Sequence, residues 1–412
     1  MGWKLKQSPA VGKIYFAPGN AGTNSIGENI SIGVTEIKKL TQFVQKEQID
    51  LTIVGPDAPL ELGIVDYFQK AKLRIIGPSK KASQIESSKI FAKKLLAKYK
   101  IPTAKFVVFN NFNQAKKYLK KAGYPLVIKA DGLCLGKGVA VCKNYQEGEN
   151  FLRQLMIDKI FGESGEKIII EECLYGQEVS FMVLTDGKNF LSFLPSQDHK
   201  RLLDNDLGLN TGGMGAYAPV PFVKKKLINE IEKEIIAPAV AAMKKEGCLY
   251  QGILYPGLIL TKEGPKVLEF NCRFGDPETQ PLMMMLKSDL LPLLISTIEK
   301  TVNKQKLIFK TGASVCVVLA ADGYPGQYKK GEIIYGLKKL DNNSQVFHAG
   351  TNKKNGKILT SGGRVLGVTA YGKDIKDALK KAYGKIGKHG VFFKGMHYRK
   401  DIGKKAISNK NK

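Results

Sequence analysis

Lys266-Val-Leu-Glu-Phe-Asn-Cys-Arg-Phe-Gly-Asp-Pro-Glu-Thr-Gln280 is the stretch around which the rest of the chain is organised. Extended, it sends alternate side chains to opposite faces. Leu268, Phe270 and Cys272 fall on one face, and Glu269, Asn271 and Arg273 on the other. An apolar anchor thus backs a row of carboxylate, amide and guanidinium. Glu269 and Asn271 offer the oxygen donors that Mg²⁺ prefers, and Arg273 offers a planar fork for a carboxylate or phosphate. The turn Gly275-Asp276-Pro277-Glu278 adds two more carboxylates. Taken alone, the strand also reads as a half-buried edge with a solvated polar face; the other motifs decide between the two.

Upstream, short apolar strands at 14–17, 51–54 and 73–76 alternate with helices at 37–48 and 59–72. That alternation predicts a parallel, doubly wound sheet, with ligands beyond the carboxyl ends of its strands. A helix over 87–100 stops at Ile101-Pro102. Strands at 125–129 and 138–142 flank a glycine-rich loop, followed by a helix at 146–157 and a strand at 168–171. A long irregular region, 196–221, precedes a helix at 223–246 and the organising strand. A third unit has strands near 313–320 and 363–369 and a helix near 375–386. The reading is an α/β and α+β multidomain chain divided at 1–88, 89–300 and 301–412, the central unit in two subdomains.

The 412 residues, 43% hydrophobic, are enough for about two to four domains with real cores. No run of 18 apolar residues occurs, so no membrane span is expected, and Met1–Lys6 lacks a signal-peptide apolar region. Six scattered cysteines without a Cys-x-x-Cys pair, and four dispersed histidines, point to a reducing cytoplasm and away from zinc. The net charge of +28 comes from 59 lysines and only six arginines. Lysine pairs such as Lys93-Lys94 and Lys120-Lys121 lie along solvated helix faces, with no aromatic-interleaved basic ribbon. No specific nucleic-acid partner is expected, although the positive field draws in phosphorylated substrates.

In Asp131-Gly-Leu-Cys-Leu-Gly-Lys-Gly-Val139, close glycines let backbone amides approach phosphates and Lys137 supplies charge. A hairpin turn with an exposed lysine is the other reading. Lys129 ends an apolar strand and wants an anionic partner, such as a nucleotide phosphate; a lysine emerging at the sheet edge is the other reading. Lys89 lies in the first turn of a helix, where anions are favoured, although taken alone it reads better as a surface lysine. The strand running into Glu171-Glu172-Cys173-Leu174 exposes backbone groups suited to an adenine edge, with Glu178 placed for ribose hydroxyls; an acidic turn is the alternative. Ser196-Gln-Asp-His-Lys-Arg201 and Asn210-Thr-Gly-Gly-Met-Gly-Ala-Tyr217 flank a loop too long to be a plain connector. Asp198 and Arg201 can hold a substrate amine and carboxylate, Asn210 a phosphate, and His199 is structural or catalytic.

Taken together, these elements resemble the ATP-grasp ligases and, among them, the phosphoribosylamine–glycine ligase (glycinamide ribonucleotide synthetase) family, over about Ser8 to Ile407. The marks are Ala17-Pro-Gly-Asn-Ala-Gly22, Thr52-Ile-Val-Gly-Pro56, Lys129-Ala-Asp-Gly-Leu133, Gly136-Lys-Gly-Val139, Ser196–Arg201, Asn210–Gly215 and Arg273-Phe-Gly-Asp-Pro-Glu278. Gly362-Gly-Arg-Val-Leu366 and Arg399-Lys-Asp-Ile-Gly403 extend them into the third unit.

The resemblance implies ligation of glycine to 5-phosphoribosylamine with ATP, through a glycyl phosphate, in purine synthesis. It implies ATP contacts from Lys89, Lys129, Glu171, Glu172, Leu174, Glu178 and Asn210, with Gly136, Lys137 and Gly138 in the closing loop. It implies Mg²⁺ or Mn²⁺ on Glu269 and Asn271, and Arg273 and Asp198 at the reacting substrates. The enzyme is expected to be a cytoplasmic monomer. The family opens with an apolar strand and a Gly-Asn-Gly-Gly-Arg-Glu-His loop, whereas this chain begins within the following helix, at Trp3-Lys4-Leu5. Loss of that strand from the first sheet implies reduced stability and weak phosphoribosylamine binding. The alternatives are an impaired or non-catalytic nucleotide-binding remnant and another ATP-grasp ligase.

Overall fold

The computed structural model of the chain describes residues 1–134, 138–337, 341 and 343–408. In the first unit the strands pair in parallel, as the alternation predicts, in two separate two-stranded ladders. Tyr15–Phe16 lies beside Glu28–Asn29, and Thr52–Ile53 beside Ile75–Ile76. The helix expected over 59–72 is two helices, Ala58–Glu61 and Ile64–Lys70. Gly63 separates them at φ +86°, a left-handed conformation that glycine takes without a Cβ clash. The second helix buries Ile64, Val65 and Phe68; full burial of a phenylalanine contributes about 2–3 kcal/mol.

Two antiparallel sheets follow. The first has the order Phe106–Phe109, Ile168–Glu172, Leu126–Ala130, Val139–Cys142. Helices Phe112–Leu119 and Tyr145–Met156 cover one face, where Leu119, Leu152 and Leu155 pack on Ile128, Ile168 and Ile170. Strand alternation sends Lys129 and Glu171 to the other face. That face meets the second sheet, whose strands are Phe190–Ser192, Val183–Thr185, Gly252–Thr261 and Gly264–Asn271, with Gln177–Ser180 pairing on Gly252–Thr261. Backbone hydrogen bonding from Val267 N–H to the Pro102 carbonyl stitches the two together.

In the organising strand, simple alternation fails at one place. Gly257 pairs with Glu269 but Leu258 pairs with Val267, so Leu268 is the extra residue of a β-bulge. Val267, Phe270 and Cys272 therefore face the core, whereas Leu268 lines the cleft beside Glu178, Lys200 and Tyr255.

The region 196–221 is not irregular. Gln197–Asp198 pairs with Gly215–Ala218, and within that hairpin Arg201–Leu203 pairs with Leu207–Asn210. Strands of two to four residues are too short to show a period in the sequence. Gly215–Ala218 then pairs with Ala313–Ala320, and the five-stranded sheet runs Gln197–Asp198, Gly215–Ala218, Ala313–Ala320, Arg364–Gly372, Ser344–His348. Every residue of Ala313–Ala320 is buried, because Thr279–Met285 and Ile375–Tyr383 both pack on it. The chain before it, expected as a helix over 223–246, is helical but opens into a π turn at Glu232–Ile236. Pro238 lacks the N–H that a regular helix needs there.

Candidate active site

Helix Lys89–Lys98 starts at Ser88, whose hydroxyl accepts the Phe91 N–H. The anion at this N-terminus is the chain's own: Asp131 accepts from Ile90 N–H (3.0 Å) and the Ser88 hydroxyl (3.1 Å). Lys89 donates to the Gly132 carbonyl at 2.8 Å, so the helix fixes the root of the glycine-rich loop. Gly136 and Lys137 lie outside the described residues. Gly138 is buried, its carbonyl accepts from Ala130 N–H, and a Cβ there would lie 2.7 Å from that of Cys134.

The anionic partner of Lys129 is Glu171, at 2.9 Å, with a second bond to the Leu268 carbonyl at 3.2 Å. Glu171 also pairs with Lys93 at 3.1 Å, and Lys93 donates to the Thr103 hydroxyl at 2.6 Å. All three charged side chains are less than a tenth exposed. Burial pulls the Lys93 pKa down to about 8 despite the opposing pull of Glu171. Two ammoniums sharing one carboxylate leave an excess positive charge beneath the cleft, complementary to a phosphate.

Glu269 and Asn271 lie at the cleft end of their strand. Across from Glu269, the Lys200 ammonium stands 3.5 Å from Glu269 and 3.6 Å from Glu178. Burial opposes the Lys200 charge, but Glu269 and then Glu178 outweigh it and hold the pKa well above the ordinary value. Lys200 in turn, more than burial opposes it, holds the Glu269 carboxyl below the usual carboxylate range. Asn271 Oδ1 accepts from the Arg273 guanidinium at 3.4 Å. Arg273 sits between two carboxylates of the first unit, Asp57 at 3.8 Å and Glu86 at 3.7 Å. Glu86 also accepts the Cys272 N–H at 2.7 Å, and burial, against the pull of Arg273, pushes its pKa up to about 7.

Glu278 is 2% exposed and accepts from both Ser180 (2.8 Å) and Tyr255 (2.6 Å) hydroxyls. Burial, then the charge of Glu278, pushes the nearby Asp198 well above its ordinary value. Arg364 from the third unit bonds the Gly212 and Asp276 carbonyls and the Asp276 carboxylate, tying the turn to the hairpin. His199 is structural: Nδ1 lies 3.1 Å from the Gly215 carbonyl, and Nε2 accepts the Gly403 N–H at 3.2 Å. Burial lowers its pKa to about 4, so the ring is neutral. Arg201 bonds the Gly208 carbonyl within its own hairpin, and Asn210 is exposed on that hairpin. Glu172 is exposed and accepts the Lys105 N–H; Leu174 is half-buried in the connection to Gln177–Ser180.

Three family models match in sequence. The phosphoribosylglycinamide synthetase N domain covers residues 1–86, the ATP-grasp (A) domain 87–279 and the C domain 314–405. The phosphoribosylamine–glycine ligase of Caldanaerobacter subterraneus subsp. tengcongensis is 51% identical over 97% of this chain and 95% of its own length. That of Haemophilus influenzae is 48% identical over 99% and 95%. The chain belongs to the phosphoribosylamine–glycine ligase family. The crystal structure of the Thermotoga maritima ligase superposes with a TM-score of 0.85 at 34% identity, covering 97% of this chain and 96% of that one. A biotin carboxylase from Campylobacter jejuni shares the fold alone, with a TM-score of 0.73 at 16% identity over 96% and 89% of the two chains.

Glu178 and Asp198 line one cleft with Lys200; Lys200 joins Glu178 to Glu269, Lys129 and Lys89 add their charges near Glu269, Glu171 pairs with Lys129 beneath, and Arg273 bonds Asn271; sequence reasoning missed several of their neighbours. Lys93, expected on a solvated helix face, is instead buried, four residues after Lys89 on the same helix face, and Lys200 lies two after Asp198; both spacings were readable. Asp57, Glu86, Ser180 and Tyr255 meet the site only through tertiary contact. The donor set suits a hard cation: one carboxylate and one amide oxygen, with an ammonium already drawn to the carboxylate. Among the described residues no group of three His, Cys, Asp or Glu side chains is placed to hold a metal by itself. A Mg²⁺ held by one or two side chains and completed by phosphate oxygens and water is the usual form of such sites.

Proposed function

We propose that the chain ligates glycine to 5-phosphoribosylamine with ATP, giving glycinamide ribonucleotide, ADP and phosphate in purine biosynthesis. The near-full-length likeness to phosphoribosylamine–glycine ligases carries this reading. Lys89, Lys129 and the loop from Asp131 to Val139, Gly136, Lys137 and Gly138 included, hold the nucleotide phosphates. Glu171, Glu172 and Leu174 take the adenine side, Glu178 the ribose, and Asn210 a phosphate. Glu269 and Asn271 hold Mg²⁺ or Mn²⁺, which neutralises charge on the transferring phosphoryl group.

Glycine's carboxylate attacks the γ-phosphate and ADP leaves; the phosphoribosylamine nitrogen then displaces phosphate from the glycyl phosphate. Both steps ask mainly for alignment and charge neutralisation. Arg273, pinned between Asp57 and Glu86, presents its fork to a carboxylate or phosphate. Asp198, beside Glu278 and short of compensating charge, suits the glycine ammonium. Among the described residues no helix is long and apolar enough to cross a membrane, and the reading places the enzyme in the cytoplasm as a monomer working on small molecules. The test is ADP release with glycine alone, phosphoribosylamine alone and both. Release that needs both substrates supports the proposal; release with phosphoribosylamine and another carboxylate in place of glycine refutes it.

A further inference from the structure

The ion pairs around the cleft are of two kinds. Lys129 and Lys93 hold Glu171 at 2.9 and 3.1 Å, closed off from water. Lys200 stands 3.6 Å from Glu178 and 3.5 Å from Glu269, with the three side chains 37%, 53% and 40% exposed. A committed ammonium–carboxylate hydrogen bond is about 2.7–2.9 Å. The ammonium of Lys200 is therefore shared between two carboxylates and bonded closely to neither. Those two carboxylates are the ones to which the ligase reading gives the ribose and the divalent cation.

We propose that Lys200 is a positioning residue that serves as a built-in counter-ion for the nucleotide–metal site, and that ligand binding is an exchange. Its ammonium stands between Glu178 and Glu269 and balances both charges. When nucleotide arrives with its cation, Glu178 turns to the ribose hydroxyls and Glu269 to the cation, and both partners leave the ammonium together. The freed positive charge then offsets one of the charges that the nucleotide brings.

This makes cation binding conditional. Glu269 and Asn271 supply only two ligating side chains, and among the described residues no group of three His, Cys, Asp or Glu side chains is placed to hold a metal by itself. A cation arriving alone has to displace Lys200 while gaining few ligands. A cation arriving with phosphates gains their oxygens, and Glu178 releases the ammonium at the same time. Lys200 thus couples the two ligands, and by linkage the coupling is reciprocal. The inference rests on the ligase reading of the cleft.

The experiment is Mn²⁺ binding by electron paramagnetic resonance to the full chain, with and without ADP, for wild type, Lys200→Met and Lys200→Arg. In wild type, Mn²⁺ binds weakly alone and much more tightly with ADP. Lys200→Met tightens Mn²⁺ binding without nucleotide by about tenfold or more, and the enhancement by ADP shrinks by at least the same factor, about 1.4 kcal/mol of coupling per tenfold. Lys200→Arg, which keeps the charge, keeps the wild-type pattern. A structural lesion does not tighten metal binding, so the gain separates a counter-ion from a mere scaffold residue. If Lys200→Met binds Mn²⁺ alone no more tightly than wild type, the exchange is overturned. If wild type itself shows no ADP-dependent Mn²⁺ site, the ligase reading of Glu269 and Asn271 fails instead.

Discussion

Replacing Glu171 by Gln keeps the shape of the side chain and removes the carboxylate paired with both Lys93 and Lys129. The three groups are nearly sealed from water, at 4%, 9% and 2% side-chain exposure. Removing one partner of a buried pair typically costs about 3–5 kcal/mol, because the other charge stays buried. The structure gives a second handle on the size. With Glu171 in place, the Lys93 pKa is already down at about 8 from 10.5, a difference that corresponds to about 3 kcal/mol.

The sign follows from proton linkage. Between about pH 8 and 10.5 the unfolded chain holds the Lys93 proton more tightly than the folded one, so stability rises with pH across that window. Without Glu171 the folded pKa falls further and the window opens lower. Glu171→Gln should therefore be less stable by about 3–5 kcal/mol near pH 7, with the deficit shrinking toward pH 9 as Lys93 loses its proton. Adding Lys93→Met should recover part of the loss, giving a coupling energy of about 1–3 kcal/mol. Urea unfolding followed by circular dichroism at pH 7 and 9 measures all of this. A Glu171→Gln chain within about 1 kcal/mol of wild type at pH 7, or strictly additive effects of the two substitutions, would refute the reasoning.

Gly138→Ala should raise the apparent KM for ATP by about tenfold, since the new Cβ lies 2.7 Å from the Cys134 Cβ and 2.8 Å from its Sγ; Cys134→Gly in the same chain should restore most of the affinity in steady-state assays. His199→Asn should make the fold less sensitive to acid. The His199 pKa is lowered from 6.5 to about 4, so its stabilising contribution is complete above pH 6.5 and is lost as pH falls toward 4, a swing of about 3 kcal/mol. Urea midpoints at pH 5 and 7.5 should converge relative to wild type, while the pH–rate profile keeps its limbs.

The fold class, the antiparallel pair around the glycine-rich loop and the organising strand were legible because each rests on a local pattern. Strand Ile168–Glu172 shows a continuous apolar run, and helix Tyr145–Met156 an amphipathic one. The bulge at Leu268 was not legible, because alternation assumes an unbroken ladder and the partner register is a tertiary fact. Nor was the partner of Lys129: the need for an anion was readable, but Glu171 supplies it from a strand 42 residues on. Arg273 was picked out as scarce and polar, yet its holders Asp57 and Glu86 come from the first unit. The nested hairpin over 197–218 escaped because its strands are two to four residues long, and because the inner pair is leucine-rich yet exposed, so no apolar-in, polar-out alternation marks it.

Activation of glycine's carboxylate by phosphoryl transfer is the claim on which the account turns, and it leaves an isotopic trace. With both carboxylate oxygens of glycine labelled as ¹⁸O and the reaction run in ordinary water with ATP and phosphoribosylamine, one label should leave in each released phosphate and one should stay in the amide. Mass spectrometry of the phosphate reads the result directly. Phosphate free of label, with product formed, would contradict a glycyl phosphate intermediate and the account with it.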